Sequence, residues 1–225
     1  MEAVRDHATF LAGLSPDELT ALRERGTPRS FDGATALFHE GDDPGQVLAL
    51  TSGRVKVAVI SASGKEVVLG FCGPGELIGE RAAFDGSPRS ATVTTLEPVE
   101  ALSLPASGFR AFLEAHPRLL PVMLAAALQG LRHANRMQLE FAALDTLGRV
   151  ACRLIELCER FGVDDDAGTA IDLPISQEEL SGWSGSSREA VVKALHTLRD
   201  LGGIETDRRR ITVLDRDVLE RFASY

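Results

Sequence analysis

Seven residues spaced alternately four and three apart, Leu120, Leu124, Ala127, Leu131, Ala134, Gln138 and Phe141, constrain this chain more than any other feature. The spacing predicts an amphipathic helix from about Pro117 to Leu144, with an a/d seam lasting roughly three heptads. Such a seam either packs on its own domain, with Met123, Gly130 and Met137 as a second contacting face, or pairs with a second copy. Ala127 and Ala134 allow close approach and Gln138 can set register. The expected form is a parallel homodimer, since two-fold dimers are the commonest oligomers.

Ahead of this helix the pattern is different. Glu40-Gly41-Asp42-Asp43-Pro44, Thr51-Ser52-Gly53, Ser63-Gly64-Lys65 and Cys72-Gly73-Pro74-Gly75 are turn signals at short, regular intervals. Between them Val55, Val57 and Val59 alternate with Arg54, Lys56 and Ala58, and Val67, Leu69 and Phe71 alternate likewise. Several short strands spaced this way predict an all-β sandwich or barrel. A short helix from Ser15 to Arg25 should pack outside it, with Ser15-Pro16-Asp17-Glu18 as a capping box.

One segment of the strand-rich region carries chemistry. Gly75-Glu76-Leu77-Ile78-Gly79-Glu80 is followed by Pro88-Arg89-Ser90-Ala91. Gly79 lacks a Cβ and lets backbone approach a ligand. Glu80 can accept from a ribose hydroxyl, Arg89 offers a forked, permanently charged donor to a phosphate, and Ser90 adds a hydroxyl and an N–H. No nucleophile stands beside a base, so the group holds a ligand rather than cleaving one. The predicted local structure is a strand, one or two helical turns and a second strand through Ala91-Thr92-Val93-Thr94-Thr95. The alternative is a surface turn in which Glu80 and Arg89 form an ordinary ion pair.

Behind the long helix the pattern changes again. Ser176 and Glu179 fit a capping box, Trp183-Ser184-Gly185 makes a break, and Ser186-Ser187 offers a second N-cap. In the helix that follows, Val191, Ala194, Leu195 and Leu198 form an apolar stripe, leaving Arg188, Glu189, Val192, Lys193 and His196 on the other side. Two short helices joined at a glycine turn match a helix-turn-helix. Arg188 can contact a guanine O6/N7 edge, Glu189 can accept from a cytosine N4, and Lys193 can reach a guanine or a phosphate. Ser176 and Ser187, at helix starts, can hold phosphates. Asp207-Arg208-Arg209-Arg210-Ile211-Thr212-Val213 predicts a β-hairpin wing whose Arg208 and Arg209 reach DNA, or else a solvated hairpin tip. The charge balance argues the other way: from Thr146 onward there are eleven Lys and Arg against fifteen Asp and Glu. Part of that excess is Asp164-Asp165-Asp166, expected in a separate solvated turn.

Together these motifs resemble one family. The segment from Pro74 to Ala91 is similar to the phosphate-binding cassette of cyclic-nucleotide-binding domains, and Gly185-Ser186-Ser187-Arg188-Glu189-Ala190-Val191 resembles the recognition helix of the Crp/Fnr superfamily, near its cyclic AMP receptor protein branch. The resemblance spans nearly the whole chain. It implies an α+β protein: a jelly-roll-like β-roll over 1–116, a long dimerisation helix and hinge over 117–145, and a winged helix-turn-helix over 146–225. It implies that Gly79 and Glu80 hold the ribose edge of a cyclic nucleotide, and that Arg89, Ser90 and the adjoining Ala91 hold its phosphate. The expected effector is cyclic AMP, with cyclic GMP possible. Aligned on Leu144-Asp145 and Gly148-Arg149-Val150, the adenine-facing positions are Ala134 and Asn135. Asn135 can read a base edge, whereas Ala134 lacks the hydroxyl expected there. Ser184 also departs from the family pattern, replacing an apolar residue before the turn glycine. The implied partners are palindromic double-stranded DNA, a second copy of the chain and RNA polymerase. The alternative is a regulator of the same fold that binds DNA without cyclic AMP or answers another ligand or a redox signal.

Other classes fit less well. Cys72, Cys152 and Cys158 are few and scattered, which predicts a reducing cytoplasm, and no cysteine precedes Cys72 to build an iron–sulfur site. No haem, metal or membrane partner is expected. The five histidines have no motif neighbours and no Walker loop is present, so an enzyme is not expected.

Overall fold

In the computed structural model, which describes residues 9–207 and 210–224, the chain divides into two units, one ending at Leu131 and the other running from Arg132 onward. The first unit opens with helix α1 (Pro16–Arg25). Ser15 Oγ accepts from the Glu18 N–H at 3.3 Å and Glu18 Oε2 accepts from the Ser15 N–H at 2.7 Å, closing the predicted capping box. Strands β1 (Thr27–Phe31), β2 (Ala36–Phe38), β3 (Gln46–Ser52), β4 (Val55–Ile60), β5 (Glu66–Cys72) and β6 (Leu77–Ile78) follow. Then come helix α2 (Glu80–Asp85), strands β7 (Thr92–Thr95) and β8 (Val99–Pro105), and helix α3 (Ala106–Ala115).

The eight strands make two antiparallel sheets, in the orders β1-β8-β3-β6 and β2-β7-β4-β5. Side-chain alternation in β3 and β8 builds two cores at once. Leu48, Leu50, Val99 and Ala101 point between the sheets and meet Phe38, Val55, Ile78 and Val93. Val47, Ala49, Leu102 and Leu104 point outward and meet Leu22 of α1 and Phe109, Phe112 and Leu113 of α3. Burial on both faces explains why Val47-Leu48-Ala49-Leu50 of β3 is a continuous apolar run rather than an alternating one.

In β5 the face assignment expected from the sequence is wrong. Val57 pairs with Gly70 but Ala58 pairs with Val68, so one residue is extra and the alternation flips. Val68 and Phe71 are buried while Leu69 is exposed.

Helix α4 (Leu119–Ala143) carries the predicted seam across the boundary between the units. Its Leu120, Leu124 and Leu131 are 48–61% exposed in the single chain, so among the described residues this part of the apolar face lies largely open to solvent.

The second unit continues with α5 (Thr146–Phe161), capped by Asp145, whose carboxylate accepts from the Gly148 N–H at 2.9 Å. Strands β9 (Gly162–Asp165) and β10 (Gly168–Ile171) form a hairpin, so the acidic triplet begins within a strand instead of lying wholly in a turn. Helices α6 (Gln177–Ser184) and α7 (Arg188–Asp200), strands β11 (Ile204–Asp207) and β12 (Arg210–Val213), and helix α8 (Arg216–Ala223) complete the chain. The second sheet system runs β11-β12-β10-β9, with β11 and β12 as the wing hairpin. Arg208 and Arg209 lie outside the described residues. Among the described residues no helix is long and apolar enough to cross a membrane.

Candidate functional site

The cassette is built where β6 hands over to α2. Gly79 is the N-cap of α2 at φ 82°, a left-handed conformation that glycine adopts without steric cost. A Cβ there would collide with Arg89 Nη1 and lie 3.0 Å from both the Gln46 carbonyl oxygen and Phe38 Cε2. Gly79 is thus required for a second reason: the Arg89 side chain occupies the space.

Arg89 is 5% exposed. Its Nη1 donates to the Gly79 carbonyl at 2.9 Å, its Nη2 to the Gln46 carbonyl at 2.5 Å, and its guanidinium carbon sits 3.9 Å from the centre of the Phe38 ring. Its Nε is buried and has no acceptor among the described residues. The backbone is held as well, since the Arg89 N–H donates to the Asp42 carbonyl at 2.8 Å and the Arg89 carbonyl accepts from Gly41 at 2.9 Å. Two of the three guanidinium nitrogens are thus taken by backbone carbonyls, and the third is left without an acceptor among the described residues.

Burial pulls the Arg89 guanidinium below its usual value, while the charges of Asp42 and Glu80 favour its protonated form. Burial pushes the Glu80 carboxyl upward, offset in part by its own backbone N–H and by Arg81 and Arg89. Glu80 heads α2, and its carboxylate lies 3.7 Å from Arg81. Ser90 is exposed and Ala91 is buried.

The structure therefore gathers Gly79, Glu80, Arg89, Ser90 and Ala91 around the β6–α2–β7 connection. Ala134 and Asn135 are exposed on α4, in the unit that starts at Arg132. Sequence reasoning missed Phe38 and Gln46. Both come from strands far away in sequence, and neither backbone carbonyls nor a ring beneath an arginine leave a motif.

The second cluster lies on α6 and α7. Ser176 Oγ accepts from the Glu179 N–H at 3.1 Å and donates to Glu179 Oε2 at 2.7 Å, so its hydroxyl is committed to the capping box. Ser187 Oγ accepts from the Ala190 N–H at 3.2 Å and starts α7. Val191, Ala194, Leu195 and Leu198 are buried, and Arg188, Glu189 and Lys193 share the exposed face. Hydrogen bonds at the helix start, from its own backbone N–H and from Ser187, hold the Glu189 carboxyl below the usual range.

Two details revise the electrostatic expectation. Arg210 of the wing pairs with Asp165 of β9 at 2.5 Å, so one member of the acidic triplet neutralises one member of the basic run. Ser184, the polar residue before the turn glycine, is 1% exposed, and its carbonyl accepts from Arg149 Nε at 2.8 Å. Arg149 of α5 thus holds the end of α6 through a backbone carbonyl, a contact that does not depend on the serine side chain.

Comparison with known proteins follows this division of the chain. A cyclic nucleotide-binding domain is matched over residues 28–116 and a Crp-like helix-turn-helix domain over residues 148–222. The chain is 29% identical over 223 residues to a CRP-like cAMP-activated global transcriptional regulator of Mycobacterium tuberculosis, covering 99% of this chain and 100% of that one. It is 28% identical over 205 residues to the global nitrogen regulator of Synechococcus elongatus, covering 88% and 92%. Among solved structures, a CRP/FNR family transcriptional regulator from Thermus thermophilus superposes with a TM-score of 0.73 at 26% identity, covering 88% and 98%. FixK2 from Bradyrhizobium japonicum shares the fold, with a TM-score of 0.79 at 19% identity over 89% of this chain and 98% of that one. With both domains matched in order and the same architecture throughout, this chain belongs to the Crp/Fnr superfamily of cyclic-nucleotide-binding, DNA-binding transcription regulators.

Proposed function

We propose that this chain is a homodimeric transcription regulator whose DNA binding responds to cyclic AMP. The observation that carries the effector half is Arg89 Nε, a buried charged donor without an acceptor among the described residues. A cyclic phosphate supplies an acceptor of the right charge. Gly79, Glu80, Ser90 and Ala91 supply the ribose-facing and phosphate-facing groups around it, and Asn135 is the candidate reader of the base. The relative from Mycobacterium tuberculosis bears the description cAMP-activated, which favours the same nucleotide here.

The dimer is supported by the exposed Leu120, Leu124 and Leu131 of α4. Two copies related by a two-fold axis present two α7 helices about 34 Å apart, which suits a palindromic operator. Arg188, Glu189 and Lys193 then read bases or phosphates, the Ser176 and Ser187 helix starts hold the backbone, and Arg208 and Arg209 add phosphate contacts. Effector controls DNA binding to the extent that it prefers the DNA-competent arrangement over the other. RNA polymerase is the natural partner of such a regulator, and the cytoplasm its place of action.

A second reading is favoured by Ala134. Without a hydroxyl there, one base contact is missing, and cyclic GMP or another nucleotide can compete with cyclic AMP. Calorimetry with cyclic AMP and cyclic GMP, followed by DNA binding with and without the tighter ligand, tests both readings. Saturable cyclic AMP binding that raises DNA affinity supports the first; no heat with either nucleotide contradicts it.

A further inference from the structure

One charge near the end of α4 and one in α5 are buried, where charge is expensive. Glu140 is 5% exposed and Arg153 of α5 is 2% exposed, and the two form an ion pair through Arg153 Nη2 and Glu140 Oε2. Arg153 Nη1 meets Glu156 Oε2 at 3.1 Å, and its guanidinium carbon lies 5.0 Å from the centre of the Trp183 ring in α6. Glu156 in turn faces Arg160 and His133 of α4, each at 3.8 Å. One buried arginine therefore joins the end of α4, the body of α5 and the first helix of the helix-turn-helix.

The neighbouring residue makes a second attachment. Phe141 packs against Gly185, where a Cβ would lie 2.5 Å from the ring. Arg149 binds the carbonyls of Leu144 at 2.7 Å and Ser184 at 2.8 Å, and the Ser186 hydroxyl at 3.1 Å. Glu140, through Arg153 and Trp183, and Phe141, through Gly185, thus both attach to the C-terminal end of α6, and the turn at Gly185 leads directly into α7.

Burying a charge pair gains little stability over an apolar pair of similar volume, because desolvation offsets the attraction. What an ion pair adds is direction: it is satisfied at one rotation and register of α4 and broken at others. We propose that the Glu140–Arg153 pair is a positioning element for DNA recognition, fixing the end of α4 to α6 so that α7 follows any change in α4. The effector-coupling part of this rests on the cyclic AMP reading; the effect on DNA affinity does not.

The test uses the full-length protein, a duplex selected from a random pool with the wild-type protein, and three readouts. These are DNA affinity by anisotropy, cyclic AMP affinity by calorimetry, and emission from Trp183, the one tryptophan of the chain. The informative variant is the double replacement Glu140→Met/Arg153→Met, which removes the pair while keeping the volume apolar. Its melting temperature is expected to stay within a few degrees of wild type and its cyclic AMP affinity within about twofold. Its DNA affinity is expected to fall at least about tenfold, and Trp183 emission to lose its response to cyclic AMP. Arg153→Lys, which keeps the charge opposite Glu140, should recover at least about a third of wild-type DNA affinity. A double variant that binds DNA like wild type, or an Arg153→Lys variant no better than the double variant, overturns the proposal. If wild type gives no heat with cyclic AMP, the effector reading fails on its own, and DNA affinities measured without nucleotide still decide the role of the pair.

Discussion

The Nη1 of Arg89 donates to the Gly79 carbonyl oxygen at 2.9 Å, and the same nitrogen stands in the space that a Gly79 Cβ would need. Gly79 and Arg89 therefore specify each other: the arginine can turn inward only because its neighbour has no side chain. At φ 82° the glycine conformation also excludes other residues, at a cost of about 1–3 kcal/mol. Gly79→Ala should lower stability by about that amount and weaken cyclic nucleotide binding at least tenfold. Thermal melting and calorimetry on one preparation check both effects, and unchanged affinity would show that Arg89 does not serve the ligand from this position.

Restoring the missing hydroxyl is the complementary experiment. Ala134→Thr supplies one neutral hydrogen bond, whose net contribution is about 0.5–1.5 kcal/mol. Cyclic AMP affinity should rise about 2- to 12-fold, with cyclic GMP affinity changing less. Titrations of both nucleotides into the variant and wild type provide the measurement. Equal gains for the two ligands would remove position 134 from base selection.

Gly185 carries the same kind of constraint at the other site. It sits at φ 61° with Phe141 Cε1 2.5 Å from its Cβ position. Gly185→Ala should destabilise the DNA-binding unit by about 1–3 kcal/mol and weaken operator binding. Adding Phe141→Ala should relieve the steric part, so the double variant should cost less than the two single costs combined. Urea denaturation of the four proteins gives the coupling directly.

Much of this was legible from local rules. Both capping boxes, at Ser15–Glu18 and Ser176–Glu179, form as their spacing predicts, because each needs only residues three apart. The apolar stripe of α7 and the seam of α4 follow from helical period alone. What escaped depends on pairing across long stretches of chain. The bulge between β4 and β5 reverses the faces of Val68 and Leu69, and nothing in the alternation announces it. Phe38 and Gln46 reach Arg89 only once β2 and β3 are in place. The acidic triplet carries no apolar alternation to mark its first two residues as a strand, and Arg210 opposite Asp165 lies far away in the sequence.

The contact between α1 and the start of α4 should be acid-labile. Arg118 hydrogen-bonds to the Glu18 carboxylate and, more than any other neighbour, holds its pKa at about 2, below the ordinary 4.5; burial works against this, and Ser15 assists. Since the folded value is the depressed one, the stabilisation is fully present above about 4.5 and fades as pH falls toward 2. Wild type should therefore lose more stability over that interval than Arg118→Ala. Denaturation midpoints at half-unit steps of pH between about 2 and 5 test this, and parallel curves for the two proteins would exclude the pair as the cause.

The central claim is that ligand held at Arg89 governs what α7 does at DNA. The most direct measurement is the affinity of full-length wild type and Arg89→Leu for the selected duplex, each with and without saturating cyclic AMP. Cyclic AMP should tighten wild-type binding at least about tenfold and leave Arg89→Leu unchanged at its weaker, nucleotide-free affinity. An equal response of both proteins to cyclic AMP would contradict the account.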